Sequence, residues 1–351
     1  MAINAIHSLV GKNLAWNDRA ETASLRWNIL MQDSLGRQIT YLRVSITDRC
    51  DLKCSYCNVP GRALLQRREI LTLEEIERIC KIFTALGIKK IRITGGEPLV
   101  RRGVAGLIKS LSALHGIDEV TLTTNGTMLE RNAADLANAG IKRINVSLDS
   151  LDSGRIQSIT GRNVLATVLG GIAAAEAVGI KVKINMVLLA DTTDSEIDAM
   201  IRWCGMSGHD LTLIEVMPMG PARSVSPDRH KALRGHLEHR WNLTPLCEKT
   251  GGPAKYVRVG ETGGKLGFIT PMSASFCEGC NRVRLTSNGM LKLCLDRGES
   301  VDLRACLRNG GSDQDLADTI LAALQGKPAG HDFNSALEAG ESERSMSAIG
   351  G

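Results

Sequence analysis

Six strand-length segments alternate with helix-length segments between Tyr41 and Met217, and this alternation limits the folds open to the chain more than any other feature. The strands are read at Tyr41 to Thr47, Lys90 to Thr94, Glu119 to Thr124, Lys142 to Leu148, Lys181 to Leu188 and Leu211 to Met217. Between them, Leu73 to Leu86, Val104 to Leu114, Leu129 to Ala139, Val164 to Val178 and Glu196 to Cys204 repeat apolar residues at helical spacing. Regular alternation requires parallel strands joined by right-handed crossovers, hence an α/β fold whose six units fall short of a closed eight-fold barrel.

Successive strand residues point to opposite faces of a sheet. Leu42, Val44, Ile46, Ile91, Ile93, Ile144, Val146, Val182 and Ile184 share an apolar face. Arg43, Lys90, Arg92, Thr94, Thr121, Thr123, Asn125, Asn145, Ser147, Asp149, Lys183 and Asn185 share a polar one. A doubly covered parallel sheet is apolar on both faces, and a closed barrel fills its lumen with branched aliphatics. A polar lumen therefore calls for a ligand, and Arg43, Lys90, Arg92 and Lys183 fit a phosphate-bearing one. Thr94-Gly95-Gly96-Glu97-Pro98 follows the second strand; its glycines let a backbone approach a ligand closely, and Glu97 could accept from an amine. Gly263-Gly264-Lys265 is no phosphate loop, since Val259 stands where the first loop glycine belongs and Leu266 follows the lysine.

Cys50, Cys54 and Cys57 lie at C-x3-C-x2-C spacing directly after the first strand. Thiolates select iron–sulfur clusters, zinc or copper(I), and a four-iron cluster on three thiolates keeps one iron open to a substrate. A zinc site that borrows a distant fourth ligand fits the same spacing. Cys277, Cys280 and Cys294 form a second group, C-x2-C-x13-C. The segment between Cys280 and Cys294 reads as two strands turned at Asn288-Gly289, a hairpin that brings Cys294 back toward the other two. Zinc with a remote ligand, or a redox C-x2-C pair, stays open there. Arg282 and Arg284 share one face of that hairpin and add positive charge beside it.

The ten cysteines are clustered, and nothing at the amino end has the order of a secretory signal, so a reducing cytoplasm is expected in place of disulfides. No apolar run reaches bilayer length in a chain of 351 residues, and no membrane partner is expected. A net charge of +5 with 3% aromatic residues and no basic block interleaved with aromatics points away from nucleic acid. Residues 1–36 show no sustained period and are treated as an extension, followed by a barrel unit over 37–245 and a C-terminal region over 246–351. Past Met217 the alternation stops, and one helix is expected around Lys231 to His239.

The first cysteine triad with Tyr56 before its last member, Thr94-Gly95-Gly96-Glu97-Pro98, Ser147-Leu148-Asp149, the C-x2-C-x13-C group and a terminal Gly350-Gly351 together resemble the GTP 3',8-cyclase family of radical S-adenosylmethionine enzymes. The similarity runs from about Leu35 to the last residue. It implies an incomplete (β/α)6 TIM-type barrel with a C-terminal α+β region carrying a second Fe-S cluster. It also implies a lyase that converts GTP to 3',8-cyclo-7,8-dihydro-GTP, the first step of molybdenum cofactor biosynthesis, with two [4Fe-4S] clusters and S-adenosylmethionine.

By that resemblance Cys50, Cys54 and Cys57 hold one cluster and Cys277, Cys280 and Cys294 the other. Tyr56, Gly95, Gly96, Glu97, Ser147 and Met217 would contact S-adenosylmethionine, and Arg43, Arg92, Thr123, Lys183, Arg282 and Arg284 would contact GTP. Arg282, Arg284, Gly350 and Gly351 would serve catalysis. An electron donor such as a flavodoxin or ferredoxin, hand-over of product to a cyclic pyranopterin monophosphate synthase, and a homodimer among the allowed assemblies are implied as well. Two positions depart from the family pattern: Asp51 stands where Asn is frequent, and Thr212-Leu213 replaces an Arg-Phe pair, which removes a basic residue near the lumen. A peptide-modifying enzyme with two clusters would leave the Gly-Gly tail unexplained, and a metal-binding or electron-transfer protein would not need the polar strand face.

Overall fold

All six expected strands form and pair in parallel in chain order: β1 (Tyr41–Ser45), β2 (Lys90–Thr94), β3 (Glu119–Thr124), β4 (Arg143–Ser147), β5 (Lys181–Leu188) and β6 (Asp210–Glu215). The structure, a computed structural model, describes residues 31–59, 61–219, 221–222, 228–248, 251–296, 300–333 and 346–349, with 228–232 and 347–348 by backbone alone. Helices α1 (Leu73–Ala85), α2 (Val104–Ser112), α3 (Leu129–Asn138), α4 (Ser153–Thr160), α5 (Leu165–Ala177) and α6 (Asp194–Met206) follow these strands. Leu42, Val44, Ile91, Ile93, Ile144 and Ile184 on the apolar sheet face are fully buried in the core with Ile76, Ile79 and Phe83 of α1. Each such side chain contributes about 1.5–3 kcal/mol by leaving water.

The helix starts follow local chemistry. Thr72 accepts from the Glu75 amide at 3.1 Å while the Glu75 carboxylate accepts from the Thr72 amide at 2.7 Å, satisfying two amides that a helix end leaves bare. Thr193 and Glu196 repeat the arrangement at α6, which therefore begins at Asp194, ahead of the expected Glu196. Helix α4 was absent from the sequence reading because Ser153-Gly-Arg-Ile-Gln-Ser-Ile-Thr160 is polar and short. It is set by Asp152, whose carboxylate caps the Arg155 amide at 2.7 Å.

Beyond β6 the chain is more regular than its local pattern indicates. After α7 (Asp228–Arg240) come β7 (Leu243–Leu246), β8 (Lys255–Val259) and β9 (Lys265–Ile269), and β9 pairs in parallel with β6. The expected hairpin forms from β10 (Arg282–Leu285) and β11 (Met290–Lys292), turned at Gly289 with a positive φ of 84°. Strand β10 lies parallel to β1 on the opposite side of the six. A third strand, β12 (Ser300–Asp302), joins β11 and leads into α8 (Leu303–Arg308) and α9 (Asp313–Leu324). A last short helix, α10, spans Met346–Ile349. The incomplete barrel is thus one curved sheet, ordered β12-β11-β10-β1-β2-β3-β4-β5-β6-β9-β8-β7, in which C-terminal strands flank the six parallel ones on both sides.

Residues ahead of Leu35 also take part in the fold. Met31 is buried, Gln32 bridges to Gln38, and Gly36 takes a positive φ of 79° in the turn between them.

Candidate active site

The polar strand face lines one cavity of about 370 Å³, and both cysteine triads open into it. Its wall includes Arg43, Arg92, Thr123, Lys183, Arg282 and Arg284, together with Tyr56, Gly95, Gly96, Ser147 and Met217 and all six of Cys50, Cys54, Cys57, Cys277, Cys280 and Cys294. Glu97 lies behind the wall. Its buried carboxylate accepts from the Leu99 amide at 3.0 Å, the Thr124 hydroxyl at 2.8 Å and the Asn125 amide at 2.7 Å, which ties the loops after β2 and β3 together. Burial pushes it up to about 7 against those bonds. Gly350 and Gly351 lie outside the described residues.

Strand register builds the basic wall. Arg284, Arg43 and Arg92 stand in one row across β10, β1 and β2, and Arg282, Tyr41 and Lys90 stand in the next row. The Arg92 guanidinium donates to the Tyr41 hydroxyl and, at 3.0 Å, to the Thr123 hydroxyl. Burial pushes Arg43 down to about 10, with repulsion from Arg92 and Arg282 adding to it; Arg284 is pushed well below its usual range by the same two causes, burial and neighbouring arginines. Burial opposes ionisation of Tyr41, yet Arg92, Arg43 and Lys90 bring it down to about 8. On the far side Lys183 bonds the Tyr256 hydroxyl, and burial followed by repulsion from Arg92 and Arg143 lowers it to about 7. Like charges crowded into a low-dielectric space repel, so this wall is built for an anion.

The opposite end suits a different ligand. At Gly96 a Cβ would lie 2.3 Å from the Arg49 carbonyl oxygen, and at Gly95 one would lie 2.7 Å from that of Thr47, so the glycines pack backbone to backbone against the start of the first cysteine loop. Gly96→Ala should cost about 1–3 kcal/mol of stability, as overpacking does, and be read as a lower denaturation midpoint at unchanged slope; an unchanged midpoint would mean that the loop simply moves aside. The Tyr56 hydroxyl donates to Asp149 at 2.8 Å, and the other Asp149 oxygen accepts from the Val187 amide at 2.8 Å. Asp51 accepts from the Asn125 side chain at 2.8 Å and the Thr127 hydroxyl at 2.7 Å, so its carboxylate holds the cysteine loop to the loop after β3. Among the described residues, Asn145 Oδ1 and Glu215 Oε1 are buried at the cavity without a partner, which leaves acceptors for a ligand's donors.

The donor sets fit iron–sulfur clusters. No disulfide joins any of the ten cysteines. Among the described residues no three His, Cys, Asp or Glu side chains converge for a single metal ion, a tighter grouping than a four-iron cube requires. The two triads sit in opposite fields. Burial, with Glu97 and Asp51 nearby, pushes Cys50 up to about 12, and burial with Asp149 pushes Cys54 further up. Burial also opposes ionisation of Cys280, but Arg282 and Lys327 outweigh it and lower that thiol.

Sequence reasoning missed Tyr41 and Tyr256. Tyr41 shares strand parity with Arg43, a signal within reach. Tyr256 sits on β8, where no period was read, and its ring lies over Gly267, where a Cβ would come within 2.7 Å of it. Thr212, beside Gly267, is fully buried and absent from the cavity wall. Gly263-Gly264-Lys265 forms the turn into β9, with Lys265 donating to Glu248 at 2.7 Å.

Comparison with known proteins agrees with this geometry. Residues 44–204 match the Radical SAM superfamily and residues 209–333 match Molybdenum Cofactor Synthesis C. The chain is 50% identical over 328 residues to GTP 3',8-cyclase of Paracoccus denitrificans (strain Pd 1222), covering 91% of this chain and 95% of that one. It is 49% identical over 325 residues to GTP 3',8-cyclase of Caulobacter vibrioides (strain ATCC 19089 / CIP 103742 / CB 15), covering 91% and 93%. Streptococcus suis SuiB bound to S-adenosylmethionine shares the fold, with a TM-score of 0.59 at 17% identity over 92% of this chain and 77% of that one.

Proposed function

Because the chain belongs to the GTP 3',8-cyclases of the radical S-adenosylmethionine superfamily, we propose that the two ends of its cavity divide the reaction between them. The chain cyclises GTP to 3',8-cyclo-7,8-dihydro-GTP, the first step of molybdenum cofactor biosynthesis, with two [4Fe-4S] clusters and S-adenosylmethionine as cofactors. Cys50, Cys54 and Cys57 would hold the first cluster, which when bound would supply the one-electron reduction on which cleavage of S-adenosylmethionine and hydrogen abstraction at C3' of GTP depend.

The residues orient and shield. Gly95 and Gly96 line the S-adenosylmethionine side of the cavity while letting the start of the cysteine loop pack against them, Tyr56 is fixed in direction by Asp149, and Ser147 and Met217 complete that side of the wall. Arg43, Arg92, Thr123 and Lys183 hold the phosphates, and Arg282 and Arg284 hold the substrate beside the second triad. Reacting atoms held in register within a closed space gain the entropic advantage of an intramolecular step. The observation that carries this reading is that both thiol triads and the basic rows face one cavity. Anaerobic reconstitution tests it: about eight irons per chain, cleavage of S-adenosylmethionine on reduction, and turnover that requires GTP are expected. Iron with cleavage but indifference to GTP would point to another radical enzyme.

The reading extends to a one-electron donor of flavodoxin or ferredoxin type, to hand-over of product to a cyclic pyranopterin monophosphate synthase, and to a reducing cytoplasm, which cysteines outside disulfides support. Among the described residues no helix is long and apolar enough to cross a membrane.

Lys183 gives the phosphate contacts a pH signature. With its free amine near 7, binding a phosphate anion favours the ammonium and takes up a proton. GTP affinity should therefore fall as pH rises above 7, by at most about tenfold per unit, and Lys183→Met should flatten that slope. Tyr41 ionising near 8 adds to the fall in the same direction. Arg92→Ala and Lys183→Ala should weaken GTP by roughly 1.5–3 kcal/mol, about one to two decades, and guanosine far less. Calorimetry with both ligands decides, and equal losses would take these residues away from the phosphates.

A further inference from the structure

Two cations, the half-buried Arg37 and the buried Lys327, stand behind the second cysteine triad, and neither lines the cavity. Arg37 lies in the turn that follows Met31, where its Nε donates to Asp33 at 2.6 Å. Its Nη1 donates to the Cys277 carbonyl at 3.0 Å and to that of Ala329 at 3.2 Å, and its Nη2 reaches the carbonyls of Pro328 at 2.7 Å and Lys327 at 3.3 Å. Lys327, only 4% exposed, donates through Nζ to the Arg282 carbonyl at 2.9 Å and to the Leu293 carbonyl.

These bonds fall where the triad needs support. Cys277 and Cys280 share one short turn before β10, in which the Cys280 amide donates to the Cys277 carbonyl at 3.1 Å, and Cys294 lies beyond the end of the hairpin. The β10–β11 ladder aligns Arg284 with Lys292 but stops short of all three thiols. Arg37 grips the carbonyl of the first cysteine itself, and Lys327 ties the strand that follows the second to the residue just before the third. The two cations are joined, since Arg37 also binds the Lys327 carbonyl.

Charge supplies the second argument. Among the described residues the Lys327 ammonium meets carbonyls and no carboxylate, while it lies within electrostatic reach of Cys280 and Cys294. A buried cation without an anion is costly. Three thiolates carrying a four-iron cluster are net negative and would answer it.

On the reading that Cys277, Cys280 and Cys294 hold a cluster, we propose that Arg37 and Lys327 form a cationic brace that sets the spacing of these three thiols and holds the second cluster's charge. Both are positioning residues, reached through backbone carbonyls. Asp33 orients Arg37, so the turn beginning at Met31 belongs to this site.

The test uses the full chain with Cys50, Cys54 and Cys57 all changed to Ala, so that iron reports on the second triad alone. After anaerobic reconstitution this parent should hold about four irons and give a cluster signal on reduction. Adding Lys327→Met, which keeps the stem and removes the charge, should weaken iron retention against a chelator by about 10–100-fold, the range for lost outer-shell partners, and move the midpoint potential to a more negative value. Lys327→Arg should restore most of both, because it keeps the charge. In the chain with all cysteines present, Lys327→Met should still cleave S-adenosylmethionine at the first cluster. A Lys327→Met chain with parental iron retention and midpoint would overturn the brace. Loss of both clusters together would also overturn it, showing a general folding role, and a parent that binds no iron would remove the second-cluster reading along with the brace.

Discussion

Cys57→Ser is expected to abolish reductive cleavage of S-adenosylmethionine, whereas Cys294→Ser should keep cleavage and lose the cyclised product. The expectation rests on the separate placement of the triads. Cys50, Cys54 and Cys57 lie on the loop after β1, held by Asp51 to the loop after β3 and by the Tyr56 hydroxyl to Asp149 after β4. Cys277, Cys280 and Cys294 lie around the β10–β11 hairpin beside Arg282 and Arg284. A cluster lacking one of its three protein ligands is lost or misplaced, and the chemistry it supports goes with it, an effect of several decades rather than a graded one. Quantifying 5'-deoxyadenosine and cyclised product in parallel separates the two cases. If Cys294→Ser eliminated cleavage as completely as Cys57→Ser, the division of labour between the ends of the cavity would be wrong.

Removing Gly350 and Gly351 should leave both clusters and the fold in place, retain uncoupled cleavage of S-adenosylmethionine, and lose most of the cyclised product. The two glycines lie outside the described residues, but the helix before them does not. Ile349 of α10 is 3% exposed against Met219 and Phe333, and Met346 lines the cavity. That anchor brings the chain to the cavity immediately before its last two residues. Glycines can follow a narrow path closed to side chains, and a terminal carboxylate suits a wall of arginines. Adding a separately synthesised tail peptide should restore part of the activity. Full coupling in the truncated enzyme would show that these residues are only an end. Ile349→Asp, which places a charge in the apolar socket, should weaken the same step while leaving cleavage unchanged.

The polar lumen was legible because strand periodicity is local: Arg43, Arg92, Thr123, Asn145 and Lys183 share parity on their strands, and all five line the cavity. The triads were legible as candidate metal ligands because cysteine spacing is local, although spacing alone left iron–sulfur, zinc and redox readings open. Glu97 shows the limit of such reading. Its motif marks the loop, but the bonds that occupy its carboxylate come from residues up to 28 positions away, which the motif does not contain. Helix α4 and strands β7 to β9 escaped for a different reason: their residues are too polar or too short to carry a period, and their stability comes from what they pair with.

The sequence by itself determined the six parallel units, which face of their sheet is wet, and that two sets of three thiols stand at metal-ligating spacing. These follow from nearest-neighbour sterics, side-chain alternation and ligand softness, none of which depends on distant contacts. Only the tertiary structure decided that β10 flanks β1 and β9 flanks β6, which places both triads and the arginine rows on one cavity. It also decided that Arg37 reaches Cys277 across 240 residues of chain and that Lys327 sits under the hairpin. The physical reason is that parallel pairing and buried cation contacts join segments with no local signal of their partner, and their free energy exists only once the whole sheet has closed around them.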